Sequence, residues 1–286
     1  YCVTDDERLI MASEAGALAV DPSRVATMDR LEPGQMFVAD AATGRIHTDE
    51  EVFDDLVHDR YAAWLEEERV HLSEITPDLE PPSAIKSDAS DLIPLQRTFG
   101  YTIEHLRRLL EPMAEDGKDP VGAMGDDTPV AVLSNRNQTL FSYFKQLFAQ
   151  VSNPPLDYIR EDLVTSLATH VGRQRNLLNE TPAHCRQLRL TSPILSDAEG
   201  EALRALDQKG LCAREIDITM AVDQSLEQAV AAVQQAAAQA VQEGATVLVL
   251  TDRATATDRV PVPSLLAVSA VHHHLIREQL RTRTGL

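Results

Sequence analysis

The strongest constraint on the fold sits in the last quarter of the chain, where a strand pattern, a long helical pattern and a second strand pattern follow in succession. Asp217-Ile218-Thr219-Met220 reads as a strand, residues 225–243 as a helix, and Thr246-Val247-Leu248-Val249-Leu250 as a second strand. Ser225 three residues before Gln228 makes a capping-box pattern, and Leu226, Val230, Val233, Ala237 and Val241 recur at helical spacing. Gly244 supplies the stop. A helix between two strands is the connection that parallel pairing requires, and its crossover is expected to be right-handed. The fold class is therefore α/β. Past the second strand, Thr251-Asp252-Arg253 reads as a turn, Pro261-Val262-Pro263 stiffens a loop, and a helix is expected from Ser264 to about Arg281. In such folds the carboxyl ends of the strands face the ligand. The sequence closes on Arg283-Thr284-Gly285-Leu286, where a following strand is expected.

The first part of the chain is organised differently. Residues 1–46 are β-rich, with strands expected at Arg8-Leu9-Ile10-Met11 and Gln35-Met36-Phe37-Val38 and turn chemistry at Glu32-Pro33-Gly34 and Thr43-Gly44. So short a stretch cannot bury both faces of a sheet, so its remaining strands are expected upstream of Tyr1. Residues 49–80 hold twelve Asp and Glu against two Arg, with a helix expected over residues 51–72 that carries Phe53, Leu56, Val57, Tyr61 and Trp64. Residues 77–94 contain Pro81-Pro82 and few large apolar side chains, which reads as a connector. The domain reading is 1–75, a linker at 76–94, and 95–286. In the last part Thr102 caps a helix to Met113 that Pro112 should end or kink, and another helix is expected over residues 158–171.

Composition excludes several function classes. A net charge of −19 makes phosphate backbones and anionic membranes poor partners. No apolar run approaches the roughly 18 residues of a membrane span, and no secretory leader precedes the fold, so the chain reads as a soluble, cytoplasmic protein and as a piece of a longer one. Cys2, Cys185 and Cys212 lack the spacing of a zinc site, an iron–sulfur cluster or a disulfide framework. His272, His273 and His274 are consecutive, and helix neighbours point about 100° apart, so the three cannot converge on one metal ion. Cys2 sits near the start, as an N-terminal nucleophile would, but Tyr1 precedes it.

One central stretch, residues 119–155, gathers the remaining candidates. It opens with a glycine-bracketed turn, Gly122-Ala123-Met124-Gly125, followed by Asp126 and Asp127. An apolar strand is expected over residues 130–133, then an aromatic helix that stops at Asn153-Pro154-Pro155. The paired carboxylates are open to acid–base work or to turn capping, with capping the default for adjacent residues. The glycines form no phosphate-binding fingerprint, though they permit close backbone approach to a ligand. From physics alone no catalytic residue is assigned.

Taken together, Phe99-Gly100-Tyr101, Leu110-Glu111-Pro112-Met113, the run from Pro120 through Ser134, and the run from Tyr143 through Pro155 resemble the central domain of glutamate synthase. The likeness continues at Arg160-Glu161, Ser166-Leu167, Ser192-Pro193-Ile194-Leu195, Leu250-Thr251-Asp252-Arg253 and Pro261-Val262-Pro263-Ser264. Ala12-Ser13-Glu14 and Leu31-Glu32-Pro33-Gly34 resemble the end of that family's glutamine amidotransferase domain. The resemblance implies an enzyme in which glutamine is hydrolysed at a terminal cysteine. Ammonia then crosses a tunnel to a barrel domain, where FMN and a 3Fe-4S cluster serve the reductive amination of 2-oxoglutarate. The nucleophile and the cofactor ligands would lie outside this segment, which alone should be inactive. Its partners would be the amidotransferase domain upstream, the FMN-binding barrel downstream, and a small NADPH-oxidising subunit or ferredoxin as electron source.

The same resemblance places Met124 near the flavin and substrate pocket and Ser152, with Asn153 beside it, at the ammonia tunnel. Two departures stand out: Ala123 occupies a position that is commonly Ser, and Ser152 one that is commonly Thr. Serine keeps the hydroxyl and loses a methyl, so polarity survives while the constriction loosens. A non-catalytic scaffold reusing the same fold is the alternative reading, supported by the lack of a complete catalytic set.

Overall fold

The computed structural model describes residues 1–14, 16–76, 89–118, 131–135, 138–144 and 153–286. It divides into two compact units, Tyr1–Trp64 and Leu65–Leu286, of mixed α/β character.

In the first unit, strand β1 (Cys2–Thr4) lies between β2 (Leu9–Ile10) and β3 (Val25–Met28), both antiparallel to it. β4 (Val38–Asp40) and β5 (Arg45–His47) form a separate hairpin. The expected turn at Thr43-Gly44 closes it, with Gly44 at φ 67°, a conformation that costs glycine little. The strands are shorter than the propensities imply: the first spans only Leu9 and Ile10, and the second begins at Val38, not Gln35. Helix α1 (Asp49–Leu56) starts with a full capping box, Thr48 and Glu51 each accepting the other's backbone N–H. Asp49, Glu50 and Glu51 then sit at the positive end of the helix dipole.

The single helix expected over residues 51–72 is two. Val57, β-branched, takes an extended backbone and donates its N–H to Phe53 O, closing α1 before α2 (Asp59–Glu68) begins. Residues 70–71 are not helical at all but form β6 (Val70–His71), followed by the one-turn α3 (Leu72–Ile75). Tertiary pairing wins here, because Val70 donates to Gln187 O and both Val70 and Leu72 are buried in the second unit.

Helix α4 (Ala89–Thr98) precedes a three-part helix that begins where Thr102 was expected to cap it. α5 (Ile103–His105) passes into a π-helical turn (Leu106–Leu110) and then α6 (Glu111–Asp116). Pro112 does not end this helix. It lies in the first turn of α6, directly after the wide turn, so its missing N–H is accommodated where the regular ladder has already been interrupted. Gly117, at φ 61°, terminates it.

Two expected elements are replaced. Val132 and Leu133 form a turn, 85% and 97% exposed, in place of the apolar strand; an apolar run becomes a strand only with a partner, and the described residues give it none. The aromatic helix is seen only as a 3-10 turn (Leu140–Tyr143), and residues 145–152 lie outside the described residues. Over residues 158–171 the helix shrinks to α7 (Glu161–Val164), because Thr169–Val171 pairs as β7. β8 (Leu188–Leu190) is the central strand between β6 and β7, parallel to the first and antiparallel to the second.

The end of the chain follows the expected βαβ plan with shifted boundaries. After α8 (Asp197–Arg204) and β9 (Asp207–Gln208), the leading strand is β10 (Leu211–Asp217), earlier than residues 217–220. Thr219–Ala221 is a distinct strand, β11. Helix α9 (Leu226–Gln242) leads to β12 (Val247–Thr251), which runs parallel to β10 from Ala213↔Val247 to Asp217↔Thr251. Ser225 caps α9 as expected, and Gly244 at φ 107° closes it in a Schellman turn: Gly244 N–H to Val241 O and Ala245 N–H to Ala240 O.

The buried stripe of α9 is Ala229, Val233, Ala237, Ala238, Ala240 and Val241, while Leu226 is exposed. Alanine on that face lets α10 (Ser264–Arg277) approach closely with Ala267, Val271 and Leu275, and Gln234 donates across the interface to Ala270 O. α10 stops at Arg277, short of Arg281. β13 (Arg259–Pro261) pairs antiparallel with β11. Gly285 makes a parallel bridge to Val247 on the side of β12 away from β10, where a following strand was expected.

Candidate functional site

Of the three residues singled out at the centre, Met124 and Ser152 lie outside the described residues, as do Asp126 and Asp127. Asn153 is described and exposed, at the head of a bend that runs through Pro154 and Pro155. Downstream, Asp157 organises the chain. Its carboxylate accepts the backbone N–H of Ile159 (3.0 Å) and Arg160 (3.3 Å) and the Arg160 side-chain N–H (2.5 Å). The Arg160 guanidinium is the largest influence holding that carboxyl below its usual range.

Around this bend the apolar side chains are turned outward. Phe141, Phe144, Tyr158, Ile159, Leu163, Leu167, Leu177 and Leu178 are all exposed, Leu177 and Leu178 by about nine-tenths. Scattered apolar exposure is ordinary, and these eight side chains stand out by their number between residues 141 and 178. The Phe99-Gly100-Tyr101 motif fixes one edge of this region. Gly100 has φ 77°, and a Cβ there would run into the Thr139 methyl, so the glycine lets the 3-10 turn sit against it.

A second polar constellation sits at the carboxyl ends of the parallel strands. Arg259 reaches Asp217 Oδ2 (2.8 Å), Thr219 Oγ1 (2.9 Å) and Thr219 O (3.2 Å). Arg253 reaches Asp197 Oδ1 at 3.2 Å. Residues of the Leu250-Thr251-Asp252-Arg253 and Pro261-Val262-Pro263-Ser264 motifs meet here, tied by Ile218 N–H to Thr251 O and Val262 N–H to Ile218 O. Arg259 with Asp217 and Arg253 with Asp197 are paired in opposite charge, and these pairs shape the strand ends. Sequence reasoning named Arg253 only as part of a turn and a motif and did not single out Arg259; the place of Arg253 at the carboxyl end of a strand was the available signal.

A third clamp lies within the second unit. Arg186 grips Glu68 bidentately at 2.7 and 3.0 Å, which lowers the Glu68 carboxyl and raises the guanidinium. Lys209 donates to Glu67 O. In the first unit, a cavity of about 1060 Å³ is lined by Cys2, Ile10, Met11, Ala12, Leu18 and Leu31, so the Ala12-Ser13-Glu14 and Leu31 motifs share one hollow.

His272 accepts from Arg281 (2.9 Å) and stacks edge-on with His273. Among the described residues no group of three His, Cys, Asp or Glu is placed to hold a metal ion, and all three cysteines are free. The described residues thus do not fit an iron–sulfur cluster.

Compared with protein-family models, residues 1–64 match class-II glutamine amidotransferases and residues 94–286 match the glutamate synthase central domain. Together the matches define a class, an amidotransferase portion continued by a central domain on one chain. Similar proteins narrow it. The glutamate synthase [NADPH] large chain of Bacillus subtilis is 42% identical over 287 residues, covering 100% of this chain and 18% of its own length. Its counterpart from Azospirillum brasilense is 41% identical over 295 residues, covering 100% of this chain and 19% of its own. The chloroplastic ferredoxin-dependent glutamate synthase of Oryza sativa subsp. japonica is 38% identical over 295 residues, covering 100% of this chain and 18% of its own. The chain spans less than a fifth of these relatives. It belongs to the glutamate synthase family.

Proposed function

We propose that this chain is the junction of an enzyme that makes L-glutamate from L-glutamine and 2-oxoglutarate by glutamine hydrolysis, ammonia transfer and reductive amination. The observation that carries the reading is the succession, in one chain, of an amidotransferase match and a central-domain match. In this organisation residues 1–75 belong to the amidotransferase part, 76–94 connect, and 95–286 belong to the central domain. The outward-facing apolar side chains around Asn153 support a role as a wall against other parts of the same polypeptide.

Met124 would approach the flavin and substrate pocket, and Ser152 with Asn153 would line an ammonia passage. Such a wall must exclude water while keeping a few polar groups, and a proline pair fixes the chain's direction at the opening. FMN and the 3Fe-4S cluster would be held by residues beyond this segment, with a small NADPH-oxidising subunit or ferredoxin as electron source. The reading includes a cytoplasmic location; no described helix is long and apolar enough to cross a membrane.

The test is Ser152→Leu in the full-length enzyme. Glutamine hydrolysis should persist while glutamate formation from the released ammonia falls, and an unchanged ratio of the two rates would defeat the tunnel role.

A further inference from the structure

A row of basic side chains in the second unit takes no part in the sites described so far. In the sheet β6-β8-β7, His71 stands opposite Arg189, and Arg189 opposite His170. The pleat settles which face they share. Leu188 and Leu190 are buried to either side of Arg189, and Leu188 pairs with Val70 and Val171 on the core face, so His71, Arg189 and His170 line the other. Arg69, just before β6, acts on the same group. Desolvation, and after it the charges of Arg69, Arg189 and His71, lower the pKa of His170.

An arginine set opposite imidazoles disfavours their protonated form, and the neighbouring arginine shows one way such a cation is satisfied. Arg186 has Glu68 on it. Among the described residues no carboxylate forms an ion pair with Arg69 or Arg189. Glu74 accepts the backbone N–H of His71. Two arginines without a carboxylate partner and two imidazoles thus share one sheet face in a chain of net charge −19, and an anion would gather them.

The span limits the occupant. Strands about 4.8 Å apart put the outer two imidazoles about 10 Å from each other with the guanidinium between them, which suits one compact anion and not a helix or a strand. Arginine's planar fork favours oxygens presented in pairs. We propose that the outer face of β6-β8-β7 binds a small, multiply charged oxyanion, a phosphate or a polycarboxylate, held by Arg189 at the centre with Arg69, His71 and His170 around it. Binding an anion favours the protonated imidazoles, so affinity for an anion whose own charge stays constant rises as pH falls through the histidine range.

The test is a titration of the whole chain with inorganic phosphate and, separately, with citrate, at constant ionic strength. The histidine ring proton resonances are followed, with chloride as control. Saturable shifts of His170 and His71 are expected, and sulfate, which stays a dianion across the range, should bind about 10-fold more weakly at pH ~8 than at pH ~6. Arg189→Ala should weaken binding about 10-fold. His170→Gln, at an exposed position, guards against a folding defect and should flatten the pH dependence. Tighter phosphate binding assigns the site to phosphate, and tighter citrate binding assigns it to carboxylates. Shifts that rise linearly and match chloride, or binding unchanged in both variants, would overturn the site.

Discussion

Leu188→Ala would probe the keystone of the second unit. Leu188 is fully buried at the centre of β8, within a core that includes Val70, Leu72, Leu206, Leu211 and Val247. Removing three carbons forfeits about 2.4 kcal/mol of transfer free energy at ~0.8 kcal/mol per methylene. A partly collapsed void of about 60 Å³ adds roughly 1.5 kcal/mol, for a total near 4 kcal/mol, inside the usual range of about 2–5 for such changes. Urea denaturation followed by far-UV circular dichroism reads the loss as a midpoint lowered by about 1–2 M. Hydrogen exchange adds a local signal, because Val70 N–H, bonded to Gln187 O at 3.1 Å, should lose protection as β6 loosens. Leu177→Ala is the control: Leu177 is 91% exposed, so its loss should stay within about 0.5 kcal/mol. A Leu188→Ala penalty below about 1 kcal/mol, or equal penalties at the two sites, would refute the view that β8 organises this core.

Other perturbations test the polar clamps and the glycine contact. Glu68→Gln should cost about 1 kcal/mol near neutrality, a figure reduced for solvent because the Glu68 and Arg186 side chains are 21% and 35% exposed. Since Arg186 lowers the Glu68 carboxyl, the stabilisation is present above the unfolded carboxyl's value and is lost as pH falls through the folded one. Melting curves of parent and variant should therefore differ near pH ~7 and converge in acid; a gap that persists in acid contradicts the assignment. Gly100→Ala combines a left-handed backbone with a clash on the Thr139 methyl and should cost about 1–3 kcal/mol. Faster exchange of Ser142 N–H, which bonds Thr139 O, would localise that effect, and unaltered exchange with an unaltered melting temperature would contradict it.

Helix α9 was legible end to end because its signals are local: Ser225 caps it, Gly244 stops it, and both act within one turn. Its buried face was less so. Sequence favours the larger Leu226 and Val230, whereas the folded chain buries the alanines that let α10 come close. The run at residues 130–133 has strand composition throughout, yet Val132 and Leu133 lie in an exposed turn. Of the candidate site, Asn153 with its proline pair and the turn holding Arg253 were singled out from sequence, while the partners of Arg253 and Arg259 and the basic row on β6-β8-β7 could not be.

By itself the sequence determined the α/β class, the parallel βαβ unit, the capped helices and, through its motifs, the family. Only the tertiary structure decided that Val70-His71 is a strand, that Arg189 stands between two histidines, and that Arg259 closes on Asp217. The physical reason is range. Caps, turns and periodicity act between residues a few positions apart, whereas strand pairing and ion pairs join positions more than a hundred residues apart, as Glu68 and Arg186 do, and take their energy from partners that local sequence does not specify.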